Sequence, residues 1–196
     1  VSPLVDSLAA SRRNPFDMTP PCESFVPGFG DTRADFHVVG DHPGVHGGES
    51  ARIPLTGRPW SEAFFEALDS AGLVNGQPRD GELDPGRTFF SYLYPCVPAD
   101  APPGPDEYAA LEPFFDAELR AITAHVLLPV GDRALEHVLA TYTSREGGVP
   151  RDVADLHAEE IYGSGWLVVP VKDPAEWTGD DAEVLVESLQ QLLASD

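Results

Sequence analysis

Ala34-Asp35-Phe36-His37-Val38-Val39-Gly40-Asp41-His42-Pro43-Gly44 is the stretch on which the reading of this chain turns. The segment from 34 to 40 is short and largely apolar, the pattern of a strand covered on both faces. Gly40 breaks it and delivers Asp41 and His42 onto a Gly/Pro turn. Val45-His46-Gly47-Gly48-Glu49 follows at once, with a second histidine and two more glycines. In an open parallel sheet the carboxyl ends of the strands form the ligand crevice. An acid and a histidine at such an end are the first candidates for chemistry.

Three further runs read as strands: Thr88 to Tyr94, His125 to Val130 and Gly165 to Val171. Pro129 and Pro170 place strand ends or edges at those points. Helical spacing of apolar residues falls between the strands, over Trp60–Ala71, Asp106–Thr123, Asp132–Tyr142 and Asp181–Ala194. Ser61 and Asp132 are the expected N-caps, and Gly72 the expected stop. Asn75–Gly86 and Arg145–Asp155 read as loops. This alternation predicts an α/β fold: a three-layer α/β/α sandwich around a central, mainly parallel four-stranded sheet. One domain over 1–196 is expected, with 1–33 as an N-terminal extension packing on the core. The turns after the strands hold Asp41/His42, Pro95/Cys96/Pro98, Gly131/Asp132 and Lys172/Asp173, so Asp41, His42 and Asp173 are expected near one another.

The chain carries 33 acidic and 12 basic residues, net −21, and Lys172 is its one lysine. Such a surface suits molar salt, where the Debye length falls to about 3 Å and self-repulsion is screened. A haloarchaeal or similar halophilic protein is expected. In low salt the same charge would argue against a nucleic-acid partner. No apolar run is long enough to span a membrane. Val1 to Asn14 lacks the pattern of a secretory signal, so a cytoplasmic location is expected. In that compartment Cys22 and Cys96, 74 residues apart, read as two free thiols.

The strand ends, taken in order, resemble the uracil-DNA glycosylase superfamily in its thermophilic and archaeal iron–sulfur branch. The resemblance runs from about Ser11 to Asp173. Gly40-Asp41-His42-Pro43-Gly44 is similar to the family's Gly-Glu-Ala-Pro-Gly turn, and Pro54-Leu55-Thr56-Gly57 to its Pro-Phe-x-Gly. Tyr92-Leu93-Tyr94-Pro95-Cys96-Val97-Pro98 stands where the family has Asn-x-x-Lys-Cys-x-Pro-Pro. Val130-Gly131-Asp132-Arg133-Ala134 stands for Leu-Gly-x-x-Ala, and Asp173-Pro174 for His-Pro. The resemblance implies that Asp41 is the acid that positions water. The family's base-reading Asn falls on Tyr92, its stacking Phe on Leu55 and its motif His on Asp173. Of four cluster cysteines one is matched, by Cys96; the others fall near Ser11, Asn14 and Leu111. No iron–sulfur cluster and no other cofactor is therefore expected.

Cleavage of an N-glycosidic bond passes through an oxocarbenium-like sugar, which a carboxylate stabilises while orienting water. Asp41 and Asp173 are the candidate catalytic residues. His42, Pro43, Gly44, Leu55, Tyr92 and Lys172 are the candidate pocket residues, with His42 or Lys172 as donor to the departing base and Tyr92 as the flat wall a flipped base needs. DNA, single-stranded or with the base flipped out, is the expected partner of a monomer, and Arg52, Arg58 and Arg133 its basic contacts. Three other readings stand beside this one. Asp41 caps a turn and Lys172 forms a salt bridge near Asp173; the domain binds nucleic acid or a nucleotide without catalysis; or Asp41, His42 and His46 hold a metal.

Overall fold

A computed structural model describes residues 12–78, 83–143 and 153–195. Six strands, β1 (Phe29–Gly30), β2 (Phe36–Gly40), β3 (Thr88–Tyr92), β4 (Val126–Pro129), β5 (Ile161–Gly163) and β6 (Trp166–Val168), form one sheet in the order β1-β3-β2-β4-β6-β5. β3, β2, β4 and β6 run parallel and are the four strands expected from the sequence. β1 and β5 add antiparallel edges of two and three residues, too short to carry a hydrophobic period of their own. Around the sheet lie α1 (Pro43–His46), α2 (Ser61–Ala71), α3 (Pro105–Ile122), α4 (Asp132–Tyr142), α5 (Val153–Leu156) and α6 (Asp181–Ala194), with a 3-10 turn at Pro174–Glu176.

The side-chain alternation of the strands divides the core into two layers. Phe36 and Val38 of β2, Phe90 and Tyr92 of β3, and Leu128 of β4 pack under Phe64, Phe65 and Leu68 of α2 and Leu185 and Leu189 of α6. Val39, Leu127 and Val168 face Phe115 and Leu119 of α3 and Leu135, Val138 and Leu139 of α4 on the other side. The result is the three-layer α/β/α sandwich.

Several local expectations need correction. Ser61 is the first residue of α2 rather than its cap; its Oγ accepts from the Arg58 N–H at 3.0 Å and donates to the Leu55 carbonyl at 2.8 Å. Asp132 is likewise inside α4, where its carboxylate accepts from the Val153 N–H at 2.8 Å. Gly72 does end α2, in the left-handed region at φ 89°. Of the two expected loops, 79–82 and 145–152 lie outside the described residues, and Val153–Leu156 is helical.

Cys22 and Cys96, expected as free thiols, are joined in a disulfide with Cα atoms 6.1 Å apart. Linear spacing hides their proximity. Val26 N–H donates to the Pro95 carbonyl and Val97 N–H to the Ser24 carbonyl, each at 2.9 Å, which lays the chain before β1 along the exit of β3. Ser11, within the N-terminal extension, lies outside the described residues. No helix among the described residues is long and apolar enough to cross a membrane.

Candidate active site

Register brings the strand ends together. Gly40 pairs with Tyr92, Val39 with Pro129, and Val130 with Val171. Asp41, Gly131 and Lys172-Asp173 therefore leave the same edge of the sheet. Gly40 must be glycine here: a Cβ at this position would lie 2.7 Å from the Tyr92 ring.

Asp41 projects a carboxylate whose side chain is 17% exposed. Its Oδ1 accepts a hydrogen bond from the Tyr108 hydroxyl of α3, and its Oδ2 lies 4.0 Å from Arg133 Nε of α4. Its backbone N–H donates to His46 Nδ1 at 2.9 Å. Nδ1 is thus an acceptor, the ring proton sits on Nε2, and Nε2 donates to Asp173 Oδ2 at 3.0 Å. The buried His46 ring stacks on Tyr92 and meets Trp60 edge-on, which fixes its plane. Asp173 Oδ1 accepts from the Ala175 N–H at 3.0 Å, opening the 3-10 turn. Burial alone would raise the Asp173 carboxyl, but the His46 and Ala175 donors outweigh it and hold the group below its ordinary value. Gly131, at φ 88°, closes the floor without a side chain; a Cβ there would stand 3.7 Å from Asp173 Oδ2 and 3.9 Å from His46 Cε1. Asp41, His46, Gly131 and Asp173 thus meet in one cluster at this edge.

The other expected site residues take different places. The turn is capped by His42 rather than Asp41: His42 Nδ1 accepts from the Gly44 N–H at 3.0 Å, with Pro43 as the first residue of α1. Burial pushes the His42 imidazole below its ordinary value, against the pull of Asp41. The carbonyls of Pro43 and Gly44 are held by Arg58 Nη2 at 2.9 and 2.8 Å, so Arg58 is engaged internally. Arg52 stacks on Phe25. Lys172 Nζ lies 3.1 Å from Asp181 at the start of α6, the salt bridge of the alternative reading, which engages it away from the pocket role. Tyr92 and Leu55 are inside the core, 2% and 0% exposed. The Tyr92 hydroxyl donates to the Gly47 carbonyl and accepts from the Leu55 N–H, both at 2.8 Å. In this arrangement Tyr92 is a strut between β3 and the loop after α1, and neither residue offers a wall to a base. The nitrogens of His46 and Nδ1 of His42 are already bonded, and among the described residues no group of three or more His, Cys, Asp or Glu is arranged to hold a metal ion.

Tyr108 is the contact that sequence reasoning missed. It lies on the apolar stripe of α3 and reads there as core; only the fold brings its hydroxyl over the end of β2.

A central parallel sheet with an acid on the turn after its second strand is the class the geometry defines. The chain belongs to the uracil DNA glycosylase superfamily, whose family model matches residues 27–190. It is similar to the type-5 uracil-DNA glycosylase of Thermus thermophilus, 31% identical over 151 residues covering 75% of this chain and 66% of that protein. The type-5 enzymes of Mycobacterium tuberculosis and Mycobacterium leprae are each 27% identical, over 74% and 68% of this chain and 56% and 61% of their own lengths. The chain therefore spans between 56% and 66% of the length of these curated relatives.

The iron–sulfur cluster of the resembling branch does not fit these residues. The chain has two cysteines, and they are bonded to each other. Leu111 is buried in the core, and the Asn14 amide is closed onto the Met18 backbone at 2.9 Å.

Proposed function

We propose that this protein is a DNA glycosylase that hydrolyses the N-glycosidic bond of a deaminated or damaged base in DNA, with Asp41 as the acting carboxylate. The observation that carries this reading is the Asp41 side chain itself: held by Tyr108 and Arg133, partly exposed, at the carboxyl edge of a parallel sheet. As the C1′–N bond lengthens, positive charge develops on the sugar. Asp41 stabilises that charge and orients a water whose oxygen bonds to C1′ and whose proton passes to solvent; the base leaves with the electron pair of the broken bond and takes a proton from solvent. Asp173, oriented by His46, is the second acceptor in the cluster. The base enters from a single strand or flipped out of a duplex, since the reacting bond must leave the stack. We infer a halophilic archaeal setting in the cytoplasm from 33 acidic residues and a single lysine, with the Cys22–Cys96 disulfide as the feature that weighs against that compartment. A urea midpoint that does not rise between 0.2 M and 3 M KCl would count against that setting.

The test is base release from single-stranded oligonucleotides carrying uracil, hypoxanthine or xanthine, in molar KCl. The wild-type protein is expected to release at least one of these bases, and Asp41→Asn to reduce the rate on the order of a hundredfold. The buried Tyr92, which fills the position of the family's base-reading asparagine, favours one second reading: a module that binds DNA without cleaving it. Retained oligonucleotide binding with no release from any substrate would establish that reading and remove the first.

A further inference from the structure

Asp41 stands on a Gly/Pro turn, where a short side chain has two torsions to lose. Two helices of one layer reach over the sheet edge to remove them. Tyr108, from the first turns of α3, donates its hydroxyl to Oδ1, and Arg133, from the first turn of α4, sets Nε 4.0 Å from Oδ2. The two pins also hold each other: the Arg133 guanidinium lies over the Tyr108 ring, 4.3 Å from its centroid, and Tyr94 supports that ring at 5.7 Å. Burial and the Asp41 carboxylate push the Tyr108 phenol well above its ordinary value, so it stays a donor across the working range.

Arg133 is in the wrong place for helix stability. A cation in the first turn opposes the positive end of the helix dipole. Half of its side chain is in solvent, so burial does not explain it either. Among the described residues it meets the Asp41 carboxylate and the ring of the tyrosine that holds the same carboxylate.

We propose that Tyr108 and Arg133 are positioning residues that act through Asp41, Tyr108 by the hydrogen bond that fixes Oδ1 and Arg133 by the charge it sets beside Oδ2, in the orientation the reaction uses. This rests on the reading of Asp41 as the acting carboxylate. Neither residue touches the sugar or the base. Their effect is on the rate of bond cleavage, with oligonucleotide affinity contributed elsewhere.

The experiment is single-turnover base release, with binding measured separately on the same oligonucleotide, for wild type, Asp41→Asn, Tyr108→Phe, Arg133→Gln and each of the last two combined with Asp41→Asn. Tyr108→Phe and Arg133→Gln are each expected to slow release on the order of tenfold to a hundredfold with Kd within a factor of about two. In the Asp41→Asn background the same changes are expected to cost nothing more, because the group they position is gone. A purely structural role would instead lower the melting temperature while leaving the rate of the folded protein intact. If Asp41→Asn slows release but Tyr108→Phe and Arg133→Gln do not, or if they slow it equally in the Asp41→Asn background, the proposal falls and the Asp41 reading stands. If Asp41→Asn releases base at the wild-type rate, or wild type releases none, both fall together.

Discussion

Replacing Glu118 by Gln changes how the stability of this protein depends on pH. Glu118 projects from α3 into the sheet-facing layer with 4% of its surface exposed. It contacts Ser91 of β3, whose hydroxyl lies 2.7 Å from Nε2 of the buried His37. Among the described residues no cation compensates it: burial holds the His37 imidazole down to about 3, so that ring is neutral. Burial pushes the Glu118 carboxyl up from 4.5 to about 8, against a smaller opposing effect of the Ser91 hydrogen bond. The folded protein therefore binds this proton more tightly than the unfolded chain. Its contribution is fully present below about pH 4.5 and is lost as the pH rises through about 8, beyond which it is flat. At ~1.4 kcal/mol for each pH unit, the span between those two values is on the order of 5 kcal/mol. Glutamine has the shape of the protonated acid and no proton to lose. Urea unfolding followed by tryptophan fluorescence, at fixed salt from pH 5 to 9, is expected to show the variant gaining on wild type by roughly 1 kcal/mol per pH unit and levelling above pH 8. Parallel stability profiles for the two proteins, or a variant that is weaker throughout, would refute the burial of an uncompensated carboxyl at this position.

Two further outcomes follow from contacts described above. Tyr92→Phe strands the Leu55 N–H and the Gly47 carbonyl in the core, and is expected to cost roughly 2–4 kcal/mol in chemical denaturation; a change under about 0.5 kcal/mol would show that the hydroxyl carries no strut. Cys22→Ser opens a loop of 74-residue separation and is expected to destabilise by about 4 kcal/mol, with added reductant weakening wild type but not the variant; equal response of both proteins to reductant would count against the disulfide.

The parallel strands were legible because each is a run of apolar residues ended by Gly, Pro or Asp, and because a parallel sheet places successive carboxyl ends on one edge. That was enough to bring Asp41 and Asp173 toward one cluster. It was not enough to say what holds them. His46 reads as a loop histidine, yet it sits between the two acids because α1 is one turn long and folds its ring back under Asp41. Tyr92 is an aromatic residue at the family's reading position, and nothing local distinguishes a wall from a strut; its hydroxyl partners, Gly47 and Leu55, lie 45 and 37 residues away. The disulfide is hidden for the same reason. β1 and β5 are too short to show, and the polar group formed by Glu118, Ser91 and His37 depends on side-chain alternation meeting across three elements.

The bond between Cys22 and Cys96 turns the intervening chain into a macrocycle. β1, β2, β3, α1 and α2 lie within it, and so do Asp41, His46 and Tyr92. Tyr108, Gly131, Arg133 and Asp173 lie outside. Three side-chain contacts of the acids cross that boundary: Tyr108 to Asp41, Arg133 to Asp41, and His46 to Asp173. The site therefore lies where a covalently closed stretch of chain meets an open one, and the same boundary runs between β2 and β4 of the one sheet. Separating the two parts breaks the β2–β4 pairing at the middle of the sheet together with these three contacts, and leaves Asp173 held by the Ala175 N–H alone. The placement of the two carboxylates is therefore tied to the central β2–β4 pair, and the site and the sheet should be lost in a single step.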